Sequence, residues 1–138
     1  MIKIAVVGDI GSGKSYVAKQ FGYPVFNADK EVAKLYRKSK KCYKNLKRKF
    51  PDNITSFPVK KRKLSEVILR NNENLKKINK IVHPLVRKSM DVFFKKNKNK
   101  KIVVLDIPLL MENKIKVDQS VPIHHYHSYY LLPMPTYQ

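Results

Sequence analysis

The sequence predicts an α/β fold, a parallel sheet with helices on both faces, arranged around a phosphate-binding loop. Three observations carry this. Ile2-Lys3-Ile4-Ala5-Val6-Val7 is a short apolar, β-branched run of the kind that forms a strand buried on both faces. The next eight residues, Gly8-Asp9-Ile10-Gly11-Ser12-Gly13-Lys14-Ser15, fit the spacing G-x-x-x-x-G-K-[ST]. Further apolar runs at 24–27 and 102–106 alternate with helical patterning, the βα rhythm that produces a parallel sheet of the P-loop NTPase type.

Taken in order, residues 15–21 read as a helix, and Gly22 just beyond them is a stop signal. Pro24-Val25-Phe26-Asn27 reads as a second short strand. A helix is expected from about 30 to 46, with Val32, Leu35, Tyr36, Tyr43 and Leu46 forming an approximate apolar stripe. Residues 51–58 begin and end on proline and read as loop. A helix follows over about 61–69, and another starts near Asn72, where Pro84 marks a break or a fresh helical start before residues 85–94. After the solvated run 95–101, Ile102-Val103-Val104-Leu105-Asp106 is the next buried strand. No strand is expected between about 30 and 96, so that stretch forms a helical insertion large enough to cap a substrate.

The loop motif has a physical reading. Gly8, Gly11 and Gly13 lack side chains, so the loop can curl and turn its N–H groups toward a phosphate. The following helix N-terminus adds partial positive charge. Lys14 is then expected at the β- and γ-phosphates of a nucleoside triphosphate, and the Ser15 hydroxyl on Mg²⁺. Ser12 and Tyr16 complete the expected nucleotide-binding set.

Length and composition bound the function. At 138 residues the chain is one domain with room for a core. The single cysteine, Cys42, excludes an intrachain disulfide and a cysteine metal cluster. No apolar run is long enough to span a membrane, and the N-terminus enters a strand directly, so a cytoplasmic location is expected. The net charge of +20 admits an anionic substrate or a nucleic-acid partner. It comes from 25 Lys and only 5 Arg, spread along the sequence, a pattern that AT-rich coding sequence also yields. Runs such as Lys60-Lys61-Arg62-Lys63 are usually solvated faces, and nucleic-acid binding is not expected as the main function.

Four segments, in order, resemble the dephospho-CoA kinase family: the glycine loop at 8–15, Pro24-Val25-Phe26-Asn27-Ala28-Asp29, Ile81-Val82-His83-Pro84-Leu85-Val86-Arg87, and Val104-Leu105-Asp106-Ile107-Pro108-Leu109-Leu110-Met111-Glu112. The resemblance covers residues 1 to about 118. It implies transfer of the ATP γ-phosphoryl group to the ribose 3′-hydroxyl of dephospho-coenzyme A. It also implies a kinase core at 1–118 with its acceptor-binding insertion at about 30–96. Phosphoryl transfer needs positioning, charge neutralisation and a base near the attacking hydroxyl. Asp29 matches the aspartate proposed as that base; it can equally cap a helix starting at Lys30. His83 and Arg87 match the segment that helps to build the acceptor site; Arg87 suits a phosphate or a surface salt bridge, and His83 before a proline can equally be structural. Asp106, at a strand end beside the loop, can bind Mg²⁺ through water, orient the acceptor, or simply cap the strand end.

The chain departs from the family at Asp9, Asn27 and Tyr16, where glycine, aspartate and Ser or Thr are common. The larger departure is the segment 119–138, which has no Asp, Glu, Lys or Arg although the preceding 118 residues hold 40. A frame change or truncation near 118–120 is the expectation. The strand beside the loop strand is then missing, a hydrophobic edge is exposed, and nucleotide binding and turnover are weak. Val121-Pro122-Ile123 can fill part of that gap, although Pro122 argues against a regular central strand. His124, His125 and His127 lack carboxylate or thiol companions for a metal site. Two other functions stay open at this level, another P-loop small-molecule or nucleoside kinase and a basic nucleic-acid-binding protein.

Overall fold

In a computed structural model, described for residues 1–8, 12–108, 115 and 117–123, the apolar runs become strands and the amphipathic stretches become helices. The elements are β1 (Ile2–Gly8), α1 (Lys14–Gln20), β2 (Val25–Asn27), α2 (Ala28–Lys38), α3 (Lys40–Lys49), α4 (Lys61–Arg70), α5 (Glu73–Lys96), β3 (Ile102–Pro108) and β4 (Gln119–Ile123). The chain divides into two compact units. One contains residues 2–25 and the chain from Ile102 onward; the other contains residues 26–101 and Met1.

The first unit is built on the sheet, whose strand order is β2-β3-β1-β4. β1 and β3 are parallel, with Ile4 opposite Val104 and Val6 opposite Asp106. Ala5, Val6 and Val7, and every residue from Val103 to Ile107, are buried, as a parallel sheet covered on both faces requires. The Val104 N–H donates to the Pro24 carbonyl at 2.9 Å where the chain enters β2. Val6, Val104 and Ala18 form a buried cluster, with Val17, Phe21 and Val25 packed around it. Gly22, at φ +71°, ends the α1 segment in the left-handed conformation that glycine adopts without steric cost.

The edge beside β1 is filled. β4 pairs parallel with β1, Ile4 opposite Gln119 and Val7 opposite Pro122. This corrects the expectation of an exposed hydrophobic edge. Asp118 sets the pairing: its carboxylate accepts from the Lys3 N–H at 2.7 Å, and its own N–H donates to the Lys3 carbonyl at 2.9 Å. In the described sheet β4 is an edge strand, the place where a proline costs least because a missing donor need not break a central ladder. Asp9, Ile10, Gly11, residues 109–112 and His124, His125 and His127 lie outside the described residues.

The second unit is helical. Ile78, Val82, Val86 and Met90 recur every fourth residue along α5 and are buried. α2, α3 and α4 each pack on α5. The expected helix at 30–46 is two helices. Ser39, in an extended conformation, ends α2 and caps α3, its hydroxyl accepting from the Cys42 N–H at 3.1 Å. A serine hydroxyl competes well for such an orphan donor, so the break is favoured over a continuous helix. Pro84 does the reverse of what its residue type suggests, since α5 runs through it for 24 residues. Pro84 is itself exposed, and the buried Val82 and Val86 on either side hold the flanking turns in place. Phe26 and Phe93 meet with ring centroids 5.6 Å apart and a tilt of 57°.

Candidate active site

The strand period places the acidic member of the site. Val104 faces α1 in the cluster with Ala18, and Asp106, two residues on, lies on the same face of β3. Ala18 stands one helical turn after Lys14 and Ser15, so the first turn of α1 meets Asp106. The contacts follow. The Ser15 hydroxyl donates to Asp106 Oδ2 at 2.6 Å, and Lys14 Nζ lies 3.7 Å from Asp106 Oδ1. Asp106 is 1% exposed and Lys14 5%. A buried charge needs a partner, and here one carboxylate serves both a cation and a hydroxyl.

Gly13 precedes α1 with φ +86°, ψ 11°, and its carbonyl accepts from the Val17 N–H at 3.1 Å. Any L side chain would strain that backbone. Among the described residues no side chain caps α1, and the first N–H groups of a helix are donors of the kind an anion uses. Among the described residues the buried Ser12 hydroxyl oxygen has no hydrogen-bond partner beside this helix start. Tyr16 is 63% exposed. Gly11 belongs to the part of the loop outside the described residues.

Asp29, His83 and Arg87 belong to the helical unit. Asp29 is exposed in the first turn of α2. It is not the cap, because α2 begins at Ala28 and Asn27 Oδ1 accepts from the Lys30 N–H at 2.9 Å. Asn27 is therefore the N-cap of α2, which sequence reasoning treated only as a departure. An asparagine directly before the first helical residue was the available signal. His83 is half-buried and Arg87 exposed, one turn apart on α5 beside the buried Val82 and Val86. Among the described residues no three His, Cys, Asp or Glu side chains gather as a metal cluster, and no helix is long and apolar enough to cross a membrane.

A parallel sheet whose first strand, β1, precedes a helix entered at the left-handed Gly13, with a buried lysine and a half-buried serine on a strand-borne aspartate, defines a P-loop α/β protein. A family profile described as dephospho-CoA kinase matches residues 2–123, reaching beyond the expected limit near 118. The chain belongs to the dephospho-CoA kinase family. It is 42% identical over 116 residues to the dephospho-CoA kinase of Bartonella henselae, covering 80% of this chain and 59% of that protein. A crystal structure from Thermus thermophilus, TT1252, superposes with a TM-score of 0.66 at 30% identity over 88% of this chain and 64% of that one. The dephospho-CoA kinase of Campylobacter jejuni shares the fold, with a TM-score of 0.60 at 23% identity over 80% and 58% of the two chains. This chain spans about three fifths of the length of the curated relatives it matches.

Proposed function

We propose that the chain binds ATP at the α1 loop and transfers its γ-phosphoryl group to the ribose 3′-hydroxyl of dephospho-coenzyme A, the last step of coenzyme A synthesis. Family membership supports the reaction, and one observation carries its assignment to this site. Lys14 and Ser15 converge on the buried Asp106 directly after the left-handed Gly13. In this reading Gly11, Ser12 and Gly13 wrap the phosphates with backbone N–H groups, and Tyr16 borders the nucleotide. Lys14 neutralises the β- and γ-phosphate charge. Asp29 accepts the proton of the attacking hydroxyl. His83 and Arg87 hold the acceptor, with Arg87 suited to an anionic group. Residues 1–118 act as the kinase core and about 30–96 as its acceptor-binding insertion, in a cytoplasmic protein.

The residues present also fit Mg²⁺. Ser15 Oγ and the Asp106 carboxylate are hard oxygen donors 2.6 Å apart, and this cation takes one or two protein oxygens beside those of a substrate phosphate. Ser15 would hold it directly and Asp106 through water or by orienting the acceptor. When bound, Mg²⁺ supplies charge neutralisation on the phosphate oxygens. Asp106 meanwhile keeps Lys14 and Ser15 pointed at one spot.

An acceptor panel with ATP·Mg²⁺ tests the reading, run on the 138-residue chain and on a version extended by a family-like C-terminal part. Dephospho-coenzyme A is expected to be the acceptor consumed, slowly by the first and faster by the second. Lys14→Ala is expected to abolish ATP binding. Phosphorylation of a nucleoside in preference to dephospho-coenzyme A, or ATP binding that survives Lys14→Ala, overturns it.

A further inference from the structure

One helix holds a local concentration of cations. α3 carries Lys40, Lys41, Lys44, Lys47, Arg48 and Lys49, all exposed, in ten residues with no carboxylate. Every other helix of this unit holds at least one: Asp29 and Glu31 in α2, Glu66 in α4, Glu73 and Asp91 in α5. There the acids make local ion pairs, Lys34–Glu31, Arg62–Glu66, Lys63–Glu66 and Lys76–Glu73. Among the described residues no carboxylate pairs with any cation of α3; Lys47 Nζ lies over the Tyr43 ring at 5.7 Å. These charges work against the helix that bears them. Lys40 and Lys41 occupy the positive end of its dipole, and Lys40–Lys44 and Lys44–Arg48 are like-charge pairs one turn apart.

The placement is as distinctive as the number. Cys42 and Leu46 are the buried residues of α3, and at about 100° per residue the row Lys40, Lys44, Arg48 centres on the opposite face. Cations in that row rise about 6 Å per step, close to two nucleotide rises of one duplex strand, about 7 Å. Beside the row, Arg48, Lys49 and Asn45 line an open groove with Ile81 of α5. No large apolar side chain of α3 is exposed, so the helix has nothing to insert into a bilayer.

We propose that α3 is a docking surface for the phosphate backbone of nucleic acid, read by charge and spacing and not by base sequence. This is a property separate from phosphoryl transfer and stands whether or not that reading holds. Neutralising phosphates releases counterions, so the interaction weakens steeply with salt.

The test uses the whole chain and a labelled duplex of random sequence, followed by fluorescence anisotropy from about 50 to about 200 mM salt, the range over which such contacts lose most affinity. Lys40→Gln/Lys44→Gln/Arg48→Gln is expected to bind at least tenfold more weakly and to flatten the log–log salt slope by about 3. A control of equal charge change, Lys95→Gln/Lys98→Gln/Lys100→Gln, is expected to shift affinity less than about threefold. Circular dichroism checks that both variants keep their helix content. Equal losses in the two triples would reduce the effect to net charge and overturn the proposal. So would absence of binding at low salt, or binding to anionic phosphatidylserine vesicles but not to the duplex.

Discussion

Asp106 is the only charged side chain of β3, and it decides the state of two neighbours at once. Removing it leaves Lys14 buried without its carboxylate, and breaking such a pair costs about 3 kcal/mol or more. Asp106→Ala is therefore expected to lower the urea midpoint sharply. In the double variant with Lys14→Ala the loss should be smaller than the sum of the single losses, a coupling that a double-mutant cycle reads directly. Burial pushes the Cys42 thiol from 9.0 up to about 11, and desolvation followed by the nearby Cys42 pushes Tyr36 from 10.0 up to about 12. Folding thus favours the neutral thiol. Its contribution is fully present below pH 9.0 and is lost as pH rises toward about 11, because the unfolded chain releases that proton first. Urea midpoints measured from pH 8 upward should fall through that window, and less steeply in Cys42→Ala. The same burial predicts that iodoacetamide labels Cys42 slowly in the native chain and readily in urea.

At the level of elements, two helices behaved differently from their sequence signals, for opposite reasons. Ser39 sits within a basic stretch whose apolar stripe runs on to Leu46, and periodicity alone joins the two helices. The cap was visible as a residue type, but a serine inside an apparent helix is ambiguous until its hydroxyl finds the Cys42 N–H. Ser39→Ala is expected to cost about 1 kcal/mol, read by chemical denaturation. Pro84 carries a strong local signal that packing overrides, since its neighbours Val82 and Val86 are anchored. Pro84→Ala should stabilise the chain, by up to about 3 kcal/mol, by restoring the missing N–H and relieving the ring's clash with the preceding turn. The loop and its strand were legible because a motif with fixed spacing coincided with an apolar run. The contact with Asp106 was legible only as far as the strand period and the family resemblance carried it. Its sharing between Lys14 and Ser15 needed the folded register.

For the whole molecule, the unexpected feature is that the uncharged segment begins inside the fold. The proline pointed away from a regular strand at 119–123, and the short apolar Val121-Pro122-Ile123 was the one local signal for pairing there. The pairing depends on Asp118, the last charged residue, reaching back across the sequence to Lys3. Such a long-range contact is invisible to periodicity. Shortening the chain at residue 117 should open β1 and produce concentration-dependent association, which sedimentation would detect against a well-behaved 138-residue control. Asp118→Ala should weaken the same seam by about 1–3 kcal/mol, since it leaves the Lys3 N–H without that carboxylate.

β3 lies between β2 and β1, paired along its length with β1 and fully covered from Val103 to Ile107. Its amides should therefore exchange with solvent only when the molecule opens globally, whereas α1, seven residues long, can fray by local openings of far lower free energy. The Asp106 carboxylate is in that sense a fixed post, and the lysine and serine that lean on it are the parts free to move first. Any rearrangement that a phosphate provokes should begin on the helix side of the contact and leave the strand undisturbed.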